Sequence, residues 1–243
     1  MFLDQWLDSF LHTTPWTAFA ISLALNTAVF AGSLFVGALL QRLFASRAVS
    51  PPPSPITSHE LALAACTVFL NSVVLHAGWL LWRAKRVHLE PQLEYEFAAL
   101  LGGLFGAVLI ALVMDGLMYA LHRVAHHRLV YSLLHAPHHR YSNVRPLTLF
   151  VLHPAETLAF GGLWLVVLLV LQPGWWAIVF YLSLNTLFGV VGHTGVEPIP
   201  PSWSRFPLLN RIAGGEVHAR HHQEPTRAFG FYTTVWDRLF KTE

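Results

Sequence analysis

Long apolar runs separated by short polar segments dominate this chain. Thr17 to Phe44 holds only Asn26, Gln41 and Arg42 as strongly polar groups. That is long enough for a membrane-spanning helix, which needs about 20 apolar residues. Residues 46–60 carry Pro51, Pro52, Pro53 and Pro55, which cannot continue a helix, so this stretch reads as a linker. Leu61 to Trp82 predicts a second span, followed by a charged loop, Arg83 to Glu96. Phe97 to Leu121 predicts a third, with Gly102, Gly103, Gly106 and Gly116 suited to close helix contacts in lipid. Thr157 to Leu171 and Trp175 to Val191 flank Gln172-Pro173-Gly174. Each is short for a span, so the pair predicts a tight helical hairpin that returns to the side it left. The expected fold is all-α, a polytopic membrane helical bundle of four or five spans. Residues 1–95 form a transmembrane region with a Pro-rich linker, and residues 96–243 form the chemistry-bearing part.

Composition strengthens the membrane reading. Apolar residues make up 54% of the 243 and charged residues 12%, with a mean hydropathy of +0.50; a soluble domain carries about 25% charge. The net charge of +2, with no dense basic stripe, excludes a nucleic-acid partner. One cysteine, Cys66, allows no internal disulfide and no CxxC. Asp4 and Asp8 stand where a cleaved leader would be basic, so the first apolar helix is expected to be retained. The positive-inside rule places the Pro-rich linker, the segment after His122 and the tail on the cytoplasmic side. Those segments hold 12 of the 15 Lys and Arg, counting Arg42. Arg83, Lys85 and Arg86 run against this trend. They leave open a re-entrant second span with its loop on the same side.

Histidine is the anomaly. There are 15, as many as all Lys and Arg, and eleven of them fall between His122 and His222. Asp115, Tyr119, His122 and His126 are spaced four, three and four apart, one stripe of a helix. Two imidazoles one turn apart can grip one metal or face a shared pair, and Asp115 below them could accept a ring N–H and fix a tautomer. His135, His138 and His139 repeat as His218, His221 and His222, with i, i+3, i+4 spacing that puts three rings on one helical face. Pro137 disfavours helix at Ala136, so the first copy is expected to start its helix at Pro137, with His135 just ahead. His193 is a lone histidine at the end of the hairpin. Nine such residues exceed the four ligands of a tetrahedral zinc site and could fill two metal sites. Imidazole suits iron, copper, nickel and zinc, so the residues alone leave the metal open.

These motifs, with His153-Pro154, Glu156, His193-Thr194-Gly195 and the tail from Phe229 to Thr242, resemble the fatty acid hydroxylase / sterol desaturase superfamily over about residues 100 to 243. The resemblance implies nine metal ligands: His122, His126, His135, His138, His139, His193, His218, His221 and His222. His12, His127 and His153 would not be primary ligands; His153, Glu156 and Asp115 would support them. It further implies two iron ions, O2 as co-substrate, and a lipid drawn from the bilayer (a sterol, fatty acyl or related chain) that is hydroxylated or desaturated. Three positions depart from the family pattern. Gly195 and Ala228 stand where asparagine is frequent, and Lys241 where glycine is usual.

No GxGxxG or CxxC supplies electrons, so an external donor is expected: a ferredoxin, a cytochrome or a reductase. Arg123, Arg128, Arg140, Arg145, Arg205, Arg211 and Arg220 could meet that acidic partner or lipid headgroups. A membrane metal-binding or metal-transport protein is the rival reading. Transport would place ionisable groups mid-span along a path, whereas these spans hold only Asn26, Asn71, His76, Asp115 and Asn185. A zinc protease lacks its HExxH, since Leu63 follows His59-Glu60 where histidine would be needed. A haem protein would use only one or two of the histidines.

Overall fold

The computed structural model describes residues 2–243. Its helices are α1 (Phe2–His12), α2 (Pro15–Leu43), α3 (Ser58–Arg83), α4 (Phe97–Ala125), α5 (Tyr131–Leu134), α6 (Ala136–His139), α7 (Pro154–Leu171), α8 (Trp175–Gly192), α9 (Gly215–Gln223) and α10 (Val235–Phe240). Among the described residues, five of these, α2, α3, α4, α7 and α8, are long and apolar enough to cross a membrane. They close a ring in the order α2, α3, α7, α4, α8, each packed on the next and α8 back on α2. Side chains such as Phe35, Phe105, Leu112 and Val170 point outward and are more than 60% exposed, as lipid-facing positions should be. Small and polar groups, including Ser22, Ser72 and Thr67, face inward.

Local chemistry sets the helix ends. Thr14 caps α2 with Pro15 in the first turn, which separates it from α1, an amphipathic helix the apolar pattern does not foretell. α3 begins three residues before its apolar run because Thr57 and Glu60 form a capping box. The expected hairpin is α7 and α8, with Gln172 left-handed at the turn. At 18 residues each, both are about 27 Å long, close to the ~30 Å hydrocarbon core. The glycines of α4 act as expected: a Cβ on Gly103 or Gly106 would strike Trp176 or Ala177 of α8.

Alternation up and down the ring gathers the ends of α2, α4 and α8 and the starts of α3 and α7 at one end. There Gln41 donates to Thr194 O, Arg47 to Pro198 O and Ile199 O, and Ala48 bridges Val196. The loop after α3 lies at the opposite end. His88 N donates to Gln172 Oε1, and the indoles of Trp175 and Trp176 donate to Glu90 O and Glu94 O. The second span is therefore not re-entrant, and Arg83, Lys85 and Arg86 lie at the end away from the histidines.

Candidate metal centre

Four short pieces of chain bring the histidines together. His122 is in the last turn of α4 and His126 caps it. His135 sits between α5 and α6, and α6 starts at Ala136 rather than Pro137, carrying His138 and His139. His193 caps α8, and α9 carries His218, His221 and His222. All nine rings converge in two adjoining groups. One is His122, His126, His135, His139 and His221; the other is His138, His193, His218 and His222. Within each group one ring nitrogen per residue lies within 4.8 Å of all the others. The repeated motif divides reciprocally. In its first copy the outer pair, His135 and His139, joins the larger group and His138 the smaller. In its second, His218 and His222 join the smaller and His221 the larger. The groups meet where the His139 and His222 rings lie 4.7 Å apart.

Hydrogen bonding fixes which nitrogen is bare. Nδ1 of His122, His138, His193 and His221 lies 2.9, 3.0, 2.8 and 2.6 Å from the backbone oxygens of Phe229, Val151, Gly189 and Arg227. A carbonyl oxygen only accepts, so each of these Nδ1 atoms carries the proton and each Nε2 presents a lone pair. His135 Nδ1 is 2.6 Å from Glu156 Oε1, close but not aligned as a hydrogen bond. Nε2 of His122 then faces Nε2 of His135 at 3.2 Å, and His193 faces His218 at 3.0 Å. His126 Nε2 and His221 Nε2 are buried without a partner. Buried ring nitrogens left without a partner, as at His126 and His221, are unfavourable unless a cation lies among them, so the donor set fits metal ions.

Burial, then mutual repulsion, makes these rings poor bases. It pushes His138, His218, His221 and His222 well below the usual imidazole range, and lowers His126 for the same reasons. Burial lowers His193 to about 4, and burial with the neighbouring His135 and His122 lowers His139 to about 2. At neutral pH all of these are uncharged donors. Phe229 packs on the larger group, 5.1 Å from His126, and half-buried Tyr131 stands 5.2 Å from the same ring.

The expected supporting residues divide. Glu156 meets His135. His153 does not reach the centre; it caps α7 by accepting from Ala155 N. Asp115 reaches no ring either. Its oxygens accept from Tyr232 N, Thr233 N and Thr233 Oγ1, so it anchors the C-terminal tail. Asp237 does the same job further along, accepting from Phe229 N, Gly230 N and Thr242 Oγ1. The tail sequence therefore serves to hold Phe229 O on His122. The aromatic caps and the carbonyl partners carry no signal in the sequence beyond lying in that tail. Arg145, expected on a docking surface, is instead bound to buried Glu60.

The fatty acid hydroxylase family model matches residues 107–242, more than half of the chain. The chain belongs to the fatty acid hydroxylase family. Among curated proteins, it is 30% identical over 134 residues to methylsterol monooxygenase 1 of Danio rerio, covering 55% of this chain and 45% of that protein. It is 31% identical over 125 residues to a Delta(7)-sterol 5(6)-desaturase of Aspergillus fumigatus, covering 51% and 33%. It is 32% identical over 130 residues to lathosterol oxidase of Homo sapiens, covering 51% and 40%. The match spans less than half the length of each of these relatives. No solved structure matches the chain.

Proposed function

We propose that this member of the fatty acid hydroxylase family is an O2-dependent di-iron hydroxylase or desaturase of a membrane lipid, with a sterol as the leading substrate class. The nine converging histidines are its ligands, held by residues 96–243, and electrons come from a ferredoxin, cytochrome or reductase. The single observation that carries the reading is the pair of adjoining imidazole groups in which one ring nitrogen of every member lies within 4.8 Å of the others. The sterol assignment rests on the relatives, whose names specify sterol oxidation or desaturation. The cytoplasmic placement of the site rests on the basic residues gathered at the histidine end.

A pair of irons held there would supply O2 reduction and hydrogen abstraction from an unactivated C–H bond. The chain's own contribution is orientation and exclusion of water. Carbonyl oxygens hold four rings in one tautomer, Glu156 turns His135, and Phe229 and Tyr131 give the larger group an apolar wall. A centre at helix ends would meet a lipid leaving the bilayer, and the exclusion of water there limits side reactions.

Metal analysis of the purified protein should find about two irons per chain, since nine imidazoles exceed the four ligands one structural ion uses. Lipid profiles of cells with and without the protein should then differ by an oxidised or unsaturated sterol. His138→Ala and His221→Ala, one from each group, should lose metal and product. A fully active protein lacking both rings would refute the ligand assignment, and zinc in place of iron would refute the oxidase.

A further inference from the structure

One face of α4 points away from the metal centre. Gly116, Ala120, Val124 and His127 follow one another at four- and three-residue steps, so they form a stripe, with Arg123 three residues after Ala120 at its edge. With Trp236 and Phe240 of α10 this stripe encloses an open groove of about 570 Å³ floored by Tyr119. The volume is in the ~300–1,000 Å³ range of ligand sites. Gly116 to His127 is about 16 Å along a helix axis, close to half of a ~30 Å hydrocarbon core. The groove is therefore one leaflet long and ends where α4 leaves the membrane.

Its lining is apolar except at the mouth, where Arg123 and His127 stand. Arg123 lies over the Phe240 ring, 5.5 Å from its centre, and among the described residues has no hydrogen bond or ion pair. An unpaired guanidinium above an apolar slot of leaflet length matches one chemistry: a phosphate with an acyl chain below it. We propose that this groove binds an anionic phospholipid of the histidine-side leaflet, its chain along Gly116, Ala120 and Val124 and its phosphate on Arg123. The occupant is not the lipid to be oxidised. Tyr119 is buried, stacks on Phe240 at 5.6 Å, and has Phe229 between it and His122. Tyr119 and Phe229 thus stand on the side of the groove toward the nine clustered histidines, none of which lines it. A lipid seated here bridges α4 and α10 and so presses the C-terminal tail onto the centre. The proposal is independent of the metal chemistry.

The test uses the full chain, purified in non-ionic detergent and stripped of lipid. Dioleoyl-phosphatidylglycerol and dioleoyl-phosphatidylcholine, which share their tails, are titrated in native mass spectrometry alongside thermal melting. One phosphatidylglycerol should be retained about fivefold more tightly than phosphatidylcholine, the preference one surface arginine confers, and should raise the melting temperature. Arg123→Gln should erase the preference and leave tail-driven binding of both lipids. Ala120→Leu, a change at an exposed position that fills the slot, should weaken both. Arg128→Gln, outside the groove, should match the parent. Equal retention of the two lipids by the parent, an unchanged preference in Arg123→Gln, or unchanged binding in Ala120→Leu would each overturn the proposal. The first of these would make the groove a port for neutral lipid.

Discussion

Gly195, Ala228 and Lys241, where the sequence reads differently from the motifs it resembles, have φ of 70°, 56° and 55°. The left-handed region suits glycine and, next to it, asparagine, because other side chains bring Cβ against the following carbonyl. Exchange of asparagine for glycine at 195 therefore leaves the backbone at ease. Ala228 and Lys241 keep the same turn with a Cβ present. Lys241 is exposed, so little packing opposes its replacement. Lys241→Gly should stabilise the folded protein by about 1 kcal/mol, raising its melting temperature by about 2–4 °C for a chain of this size. A melting temperature that falls instead would mean the lysine side chain makes a favourable contact that outweighs the turn. Ala228 is buried, so the same change there would also remove packing. The sequence marks these residues as unusual, but only the dihedral angles say what they have in common.

At the scale of elements, the C-terminal tail is where pattern and role separate. The stretch from Phe229 to Thr242 is recognisable as a motif, yet none of its side chains is a metal-binding type that points to the centre. Its function becomes clear from the hydrogen bonds: Asp115 and Asp237 between them accept from four backbone N–H groups and two hydroxyls of the tail. Asp237→Ala would strand Phe229 N and Gly230 N, at about 1–3 kcal/mol for each buried group left unpaired, while the Thr242 hydroxyl keeps Tyr119 Oη. Phe229 O would then lose its position on His122 Nδ1. Limited proteolysis should cut residues 225–234 faster in this variant, and its metal content should fall. A variant as resistant and as metal-rich as the parent would show that α10 is held by its aromatic stack on Tyr119 alone. Asp115 was expected beneath a histidine because it shares their helical stripe. It lies lower in the membrane, and tail residues distant in sequence reach it first.

For the whole molecule, the five-helix ring decides which loops meet. All nine clustered histidines lie at the end that also receives the linker after α2, and the loop after α3 lies at the other. Single cysteines can read this in sealed vesicles, after Cys66→Ser removes the native thiol. Arg140→Cys and Lys85→Cys should be labelled by a membrane-impermeant reagent from opposite faces. Labelling of both from one face would contradict the ring. The same ring explains why α7 and α8 can be short. Their polar ends are tied to the loop after α3 through Gln172, Trp175 and Trp176, so neither depends on its own length to reach water.

Apolar length, proline, glycine and the helical spacing of histidine determined the all-α membrane fold, the positions of the spans and eight of the nine rings that cluster, the lone His193 being marked only by the family resemblance. These are local properties: helical periodicity and the intolerance of lipid for open backbone act within a single stretch of chain. The division of the rings into five and four, the reciprocal splitting of the repeated motif, the carbonyls that set each tautomer and the duty of the two aspartates were decided only by the tertiary structure. Each depends on which helix ends face one another across the ring, and that is settled by packing among segments more than a hundred residues apart, such as Asp115 and Thr233.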